Sequence, residues 1–329
     1  MDNSLDKRPT LKTLAEITGL GISTVSQALR DSPAIAEETR KRVKLAAQQA
    51  GYRPNRAGVR LRTGKTNVIT VVLNPQDEGS GFFADFVFGI SNGLAGTPYH
   101  LVVTPYSLED PMVPIRYIVE TASADGVIIS RTQPNDPRVR FLLEHGVPFA
   151  SHGRTSMGLE HPYFDYDNEN YAYEALHKLS AKGRTCVALL GPPRDLTYNI
   201  HTNLGFERGL RDFRLTGFPL GSVDAEAPLD SIRKLATALA LQKDRPDGFV
   251  VSNIAAAVAL CAGMADAGLV LGRDFDVVSK HVTSLVGMLC PDIISIPENF
   301  REAGCRLAEI LIAAIEGETQ SELQQLAHV

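Results

Sequence analysis

An all-α, helix-turn-helix headpiece followed by an α/β core is the architecture this sequence predicts, and three observations predict it. The first is charge. Residues 1–65 carry 13 Lys+Arg against 6 Asp+Glu, a balance of +7, and the other residues carry 20 against 32, a balance of −12. A basic segment on an acidic body implies a separate partner for each. The second is an apolar period near 3.6 within the basic segment, cut by glycine and proline. The third is a change of texture at Val68, where short apolar runs begin to alternate with helical stretches.

In the basic segment, Leu11, Leu14, Ala15 and Ile17 fall at helical spacing, with Thr10 placed as N-cap. Gly19-Leu20-Gly21 breaks the pattern, and Ile22, Val25, Ala28 and Leu29 resume it. Ser32-Pro33 breaks it again, and Ile35, Val43, Ala46, Ala47 and Ala50 mark a third helix ended by Gly51. The stretch GLGISTVSQALR (19–30) shares its G-x-G spacing with dinucleotide-binding loops. Such a loop needs a strand before it, a third glycine, and an acidic residue about 20 positions on. Here a helix precedes and Thr24 stands at the third glycine position. A tight turn between two helices fits better. Ile22, Val25 and Leu29 would then face the core. Ser23, Thr24 and Gln27 would point outward, where a glutamine can pair with adenine and hydroxyls can reach bases or phosphates. The competing reading is a plain three-helix domain with a solvated polar face.

Beyond Val68, the runs VITVVL (68–73), HLVVT (100–104), GVIIS (126–130), VALLG (187–191), GFVVS (248–252) and FDVVS (275–279) read as buried strands. Helical stretches between them, such as Asp85–Ala95, Asn170–Ala181 and Ile254–Ala267, indicate parallel sheets covered on both faces. Four cysteines, Cys186, Cys261, Cys290 and Cys305, form no CxxC pair and read as reduced thiols, so no metal or cofactor is expected. No apolar run approaches the roughly 18 to 20 residues of a membrane helix. The opening MDNSLDKRPT lacks a secretory stretch, which predicts a cytoplasmic protein with no membrane partner. The sequence has no G-x-S-x-G elbow, H-E-x-x-H or phosphate-binding P-loop, so an enzyme is not expected.

The run TLKTLAEITGLGISTVSQAL…IAEETRKRVKLAAQQAGYRPNRAGVRLRTGKTNVI, with YRPNRAGVRLRTGKT at 52–66, resembles the LacI/GalR family of transcriptional regulators. The resemblance covers nearly the whole chain. It implies a sequence-specific DNA-binding regulator, read as a repressor, that acts as a homodimer on double-stranded operator DNA. Thr10, Ser23, Thr24, Gln27 and the Tyr52 of Y-x-P-N would serve that binding. A hinge helix would fold on DNA beside its symmetry mate, with Leu61 as the wedge that kinks the minor groove. Asn55, Arg56, Arg60 and Arg62 would meet phosphates. Three departures stand out. Gln27 replaces a frequent arginine, Gly58-Val59-Arg60-Leu61 replaces A-R-S-L, and Ala36 replaces a serine cap. The last should weaken the start of the third helix.

By the same resemblance the core is periplasmic-binding-protein-like, with two doubly wound lobes around a cleft. The implied divisions are 1–54 for the headpiece and 55–65 for the hinge helix and linker. The N-terminal lobe would hold 66–162 with 291–318, and the C-terminal lobe 163–290 with 319–329. Ligands of open α/β sheets bind beyond the carboxyl ends of strands. That rule selects Phe82, Phe83, Asp85, Ser130, Arg131, Arg154, Asn253, Lys280 and His281. Thr202 stands where sugar-binding members keep an arginine, and Ser279-Lys280-His281 replaces G-[YF]-D. The exchange of a carboxylate for cations favours a negatively charged effector, a sugar phosphate or organic acid, with a neutral sugar retained as an alternative. Asp165 and Asp167 lie at a lobe crossover and read as solvated or hinge groups. The competing function is a cytoplasmic solute sensor that does not touch DNA. The absence of a heptad tail argues against a coiled-coil tetramer.

Overall fold

A computed structural model describes residues 9–53, 60, 64–74, 82–106, 109–280 and 284–328. The expected sites at Asn55, Arg56, Leu61, Arg62 and His281, and most of the hinge segment, lie outside the described residues. The chain divides into two compact units, Met1–Thr66 and Asn67–Val329.

The first unit holds α1 (Leu11–Thr18), α2 (Ile22–Ala28) and α3 (Glu37–Gln49). Thr10 caps α1. Its hydroxyl accepts the Thr13 N–H at 3.3 Å, and the Thr13 hydroxyl accepts the Thr10 N–H at 3.1 Å. Gly19 ends the helix at φ +67°, a left-handed conformation in which a Cβ would be strained. Leu14, Val25, Ala28 and Val43 are fully buried, with Leu11, Leu29, Ile35 and Tyr52 packed around them. Ile22 does not join this core. It is 49% exposed, because it opens α2 at the solvent-facing turn, between exposed Gly21 and Ser23. Ala36 gives α3 no side-chain cap, as its sequence implies, and Glu37 and Glu38 in the first turn offset the loss through the helix dipole.

The second unit contains two all-parallel sheets. The first is built from β1 (Val68–Leu73), β2 (His100–Pro105), β3 (Gly126–Ile129), β4 (Phe149–His152), β5 (Tyr163–Tyr166) and β11 (Gln324–Ala327), in the order β11-β5-β4-β3-β1-β2. The second comprises β6 (Cys186–Leu190), β7 (Thr216–Phe218), β8 (Gly248–Val251), β9 (Asp276–Lys280) and β10 (Ile294–Ile296), in the order β10-β9-β8-β6-β7. Helices α4 (Phe82–Gly93), α5 (Met112–Thr121), α6 (Pro137–Glu144) and α12 (Phe300–Glu316) belong to the first lobe. The second lobe has α7 (Asn168–Ala181), α8 (Thr197–Asp212), α9 (Leu229–Ala240), α10 (Ile254–Asp266) and the short α11 (Ser284–Leu289). Helices on both faces leave the central strands with apolar side chains on both faces, and Ile69, Val71, Val127, Ile128, Val187, Phe249 and Val277 are fully buried.

The expected boundary between lobes is corrected at two strands. The family resemblance assigns residues 163–166 and 324–327 to the second lobe, yet β5 and β11 lie in the first sheet, with Gln324 opposite Tyr163 and Ala327 opposite Tyr166. Pairing with β11 satisfies the edge of β5 that β4 leaves open. The chain passes into the second lobe at residues 166–168 and returns at 296–300.

Two helix pairs that cover the sheets, α4 with α12 and α7 with α8, cross at glycines. A Cβ on Gly304 would lie 2.3 Å from the Phe86 carbonyl oxygen, and one on Gly89 would lie 2.1 Å from that of Arg301, so α4 and α12 touch backbone to backbone. Gly205 of α8 meets the Glu169 carbonyl of α7 in the same way, at 1.9 Å. We expect Gly205→Ala to force the two helices apart and to lower stability by about 1 to 3 kcal/mol. Urea denaturation would read this as a lower midpoint at an unchanged slope.

Candidate functional site

In the first unit, α2 presents Ser23 to solvent and leaves Thr24 and Gln27 half-buried, opposite Val25 and Ala28 in the core. Thr10 is exposed, while the Tyr52 ring packs against the small core. Arg60 is exposed, and its carbonyl accepts the Gly64 N–H at 2.8 Å. Arg30, Arg40, Arg42 and Lys44 add positive charge. Lys44 pairs with Asp31 at 2.5 Å, and Arg42 donates to the Thr18 carbonyl. A short helix with small hydroxyls and an amide on its outer side can enter a major groove.

In the second unit, a cavity of about 390 Å³ opens at the carboxyl ends of the strands. Ser130 follows β3, His152 ends β4, Asp165 and Tyr166 end β5, Asn253 follows β8, and Lys280 ends β9. Phe82 and Phe300 supply aromatic faces. Phe82 stacks on Phe86 at 4.7 Å and meets Phe300 edge-on at 4.9 Å. His152 sits among Phe82, Phe86, Tyr166 and Phe300, with ring centroids 5.2 to 6.3 Å away. Burial pushes the His152 imidazole down to about 4, and the charge of Lys280 adds to the effect, so the ring is neutral at pH 7. Its Nε2 and the hydroxyls of Ser130 and Ser252 line this cavity with no protein hydrogen-bonding partner among the described residues.

A run of polar groups crosses the base of the cleft. Arg154 donates to Asp165 at 2.8 Å, and the Asn168 amide donates to the Tyr166 carbonyl at 2.9 Å and toward Asp165 at 3.4 Å. Asn168 accepts from the Lys280 ammonium, which also donates to Glu298 at 2.6 Å and lies 4.7 Å from the centroid of the Tyr171 ring. Burial raises the Asp165 carboxyl to about 6 against the pull of Arg154. Asp165, 4% exposed, is therefore not the solvated group its sequence position suggests, whereas Asp167 caps α7 by accepting the Asn170 N–H at 2.9 Å.

Arg131 occupies a left-handed backbone conformation, φ +57°, that costs a non-glycine residue energy. Arg138 holds it there by donating to the carbonyls of Ser130 and Arg131 at 3.0 and 2.9 Å. Arg138 is 3% exposed and paired with fully buried Asp136 at 2.7 Å. Burial pushes the Asp136 carboxyl up, but Arg138 and two backbone donors outweigh it and hold it below the usual range. So placed, Arg131 reaches across to Glu226 of the second lobe at 2.6 Å. Gln133 to Asp195 at 3.1 Å, and the Thr197 N–H to the Thr132 carbonyl at 2.9 Å, join the lobes on the same side.

Phe82, Ser130, Arg131, Asn253 and Lys280 thus surround the cavity. Four other expected residues do not line it. Phe83 packs on the first lobe's core, and Asp85 pairs with Arg301 at 2.9 Å. Arg154 is turned to Asp165 and His201. Thr202 is fully buried and donates to the Tyr198 carbonyl within α8. His152, Asp165, Tyr166, Glu226, Glu298 and Phe300 also line the cavity, beyond the residues expected from the sequence. The strand-end rule would have found the first three, had short β4 and β5 been recognised. The preference for an anionic effector also changes, because Arg131, Arg154 and Lys280 each already face a carboxylate.

Lys280→Met would remove the ammonium that faces the buried Glu298 carboxylate and should destabilise the fold by about 3 to 5 kcal/mol, with partial recovery on adding Glu298→Gln. Paired denaturation curves check this. The His152 contribution to stability is complete above its ordinary value of 6.5 and is lost as pH falls toward 4. Asp165 works in the opposite sense, complete below 3.8 and lost as pH rises through about 6. His152→Phe should therefore lose less stability than the parent between pH 6.5 and 4.5, measured by melting at each pH.

Residues 10–55 match the model of the bacterial regulatory proteins, lacI family, and residues 176–328 match a periplasmic binding protein-like domain. The chain is 32% identical over 326 residues to the HTH-type transcriptional regulator AglR of Rhizobium meliloti (strain 1021), covering 96% of this chain and 90% of that one. A crystal structure of the lac repressor dimer bound to operator and the anti-inducer ONPF superposes with a TM-score of 0.84 at 19% identity, covering 98% of this chain and 97% of that one. A transcriptional regulator CelR–cellobiose complex superposes at 0.70 with 23% identity and the same coverage. These relatives are regulators rather than enzymes. The capped helix-turn-helix, the two parallel-sheet lobes and the match along almost the whole chain lead to one assignment: this protein belongs to the lacI family of bacterial regulatory proteins.

Proposed function

We propose that this transcriptional regulator represses by binding operator DNA as a homodimer through its headpiece, and that a neutral sugar in the core cleft controls that binding. The observation that carries the effector reading is charge pairing. Each cation expected to attract an anion already has a carboxylate partner, so an anionic ligand would have to displace one. What remains is two aromatic faces beside polar atoms that lack protein partners among the described residues, a lining suited to the CH faces and hydroxyls of a sugar.

The DNA reading is supported by the polar outer side of α2, the basic balance of residues 1–65 and the family match over residues 10–55. Ser23, Thr24 and Gln27 are assigned to bases, with Thr10, Tyr52, Asn55, Arg56 and Arg60 assigned to the backbone and Leu61 to the operator centre. A homodimer is supported by apolar side chains left in solvent, including Phe88, Tyr117, Met288 and Leu289 at 59 to 79% exposure. A DNA-binding regulator of this kind would work in the cytoplasm.

One binding assay tests both halves. Full-length protein should retard DNA from upstream of its own gene, with affinity falling steeply as salt rises. Gln27→Ala should cost about 1 to 3 kcal/mol on that DNA and far less on random competitor. Neutral sugars should alter the retardation, whereas hexose phosphates and dicarboxylates should not. Equal retardation of random DNA would reject operator recognition, and a response to phosphates alone would reject the neutral effector.

A further inference from the structure

We propose that the cleft continues past the Arg131–Glu226 bridge into a second compartment, and that the effector is an oligosaccharide with a ring on each side of the bridge. This rests on the neutral-sugar reading above. The second cavity, about 380 Å³, shares Arg131, Glu226 and Ala227 with the first, of about 390 Å³. The bridge is therefore a partition between two spaces of nearly equal size. Each alone stands at the low end of the roughly 300 to 1,000 Å³ of ligand pockets.

The partition is built rather than incidental. Its arginine is fixed at the backbone by Arg138, and Arg138 itself forms a wall of the second compartment. The Arg138 Nη1 is buried and makes no hydrogen bond within 3.5 Å among the described residues, while the Tyr106 hydroxyl on the same wall also acts on the guanidinium. Its charge is already offset by Asp136, so the fitting partner is a neutral oxygen acceptor. Asp195, Asp224 and Glu226 on the same walls oppose an anion. Pro111, Pro137 and Pro193 add apolar surface for the face of a ring. A sugar unit meets every one of these demands, and its neighbour across the bridge meets Phe82, Phe300 and the Ser130 and Ser252 hydroxyls of the first compartment.

The test is calorimetric titration of the full chain with D-glucose and D-galactose, then with maltose, cellobiose, melibiose, maltotriose and raffinose. Ser222 lines the second compartment alone and is exposed, so Ser222→Trp fills that space without entering the core. We expect at least one di- or trisaccharide to bind about tenfold or more tightly than either hexose. Ser222→Trp should remove that gain and leave hexose affinity within about twofold. Gln133→Ala, which trims another wall of this compartment alone, should also weaken the longer sugar selectively. Hexoses that bind as tightly as their oligosaccharides, or an equal loss for both in the two variants, would overturn the second compartment and leave the sugar reading standing. Failure of every neutral sugar to bind would overturn both.

Discussion

The buried ammonium of Lys280 is the constraint on which the core depends. It ends a strand of the second sheet, yet its partners sit on the segments that join the lobes, Asn168 in one crossing and Glu298 in the other. A charge withdrawn from water is tolerable only when its partners are in place. The position of each crossing is thereby tied to the same nitrogen. Through Asn168 the network continues to Asp165 and Arg154, so the floor of the cleft is one connected set of polar groups rather than several independent pairs.

That arrangement explains why cations at strand ends do not announce an anionic ligand. Read along the sequence, Arg131, Arg154 and Lys280 look available. In the fold, Glu226, Asp165 and Glu298 come from segments 95, 11 and 18 residues away and neutralise them. Such pairing is a tertiary fact that no local pattern contains. The same holds for Arg138, which in sequence is one more surface charge on a helix and in the structure secures the backbone of Arg131.

The headpiece was legible almost residue by residue, because capping and glycine turns are local chemistry: Thr10, Gly19 and the Leu14–Val25–Val43 core all follow from short-range pattern. Ile22 departs from that reading because periodicity says which side a residue faces but not whether the helix end has a neighbour there. In the core, the long apolar strands were readable, and β4 (FASH), β5 (YFDY), β7 (TGF), β10 (ISI) and β11 (QQLA) were not, being three or four residues long and partly polar. Those omissions concealed much of the site, since β4 and β5 deliver His152, Asp165 and Tyr166 to the cleft. Thr202 stands out by its place in a motif, and only the helix around it shows its hydroxyl turned inward to the Tyr198 carbonyl.

The close helix crossings at Gly89, Gly205 and Gly304 have a mechanical consequence. A carbonyl seated against an unsubstituted carbon leaves no slack between the paired helices, so these layers resist sliding past one another. Any displacement of one lobe against the other would then fall on the peptide units around residues 166–168 and 296–300 and on the Arg131–Glu226, Gln133–Asp195 and Thr132–Thr197 contacts. A lobe that moved about those points would do so as a stiff lever, with its outermost strand travelling farthest.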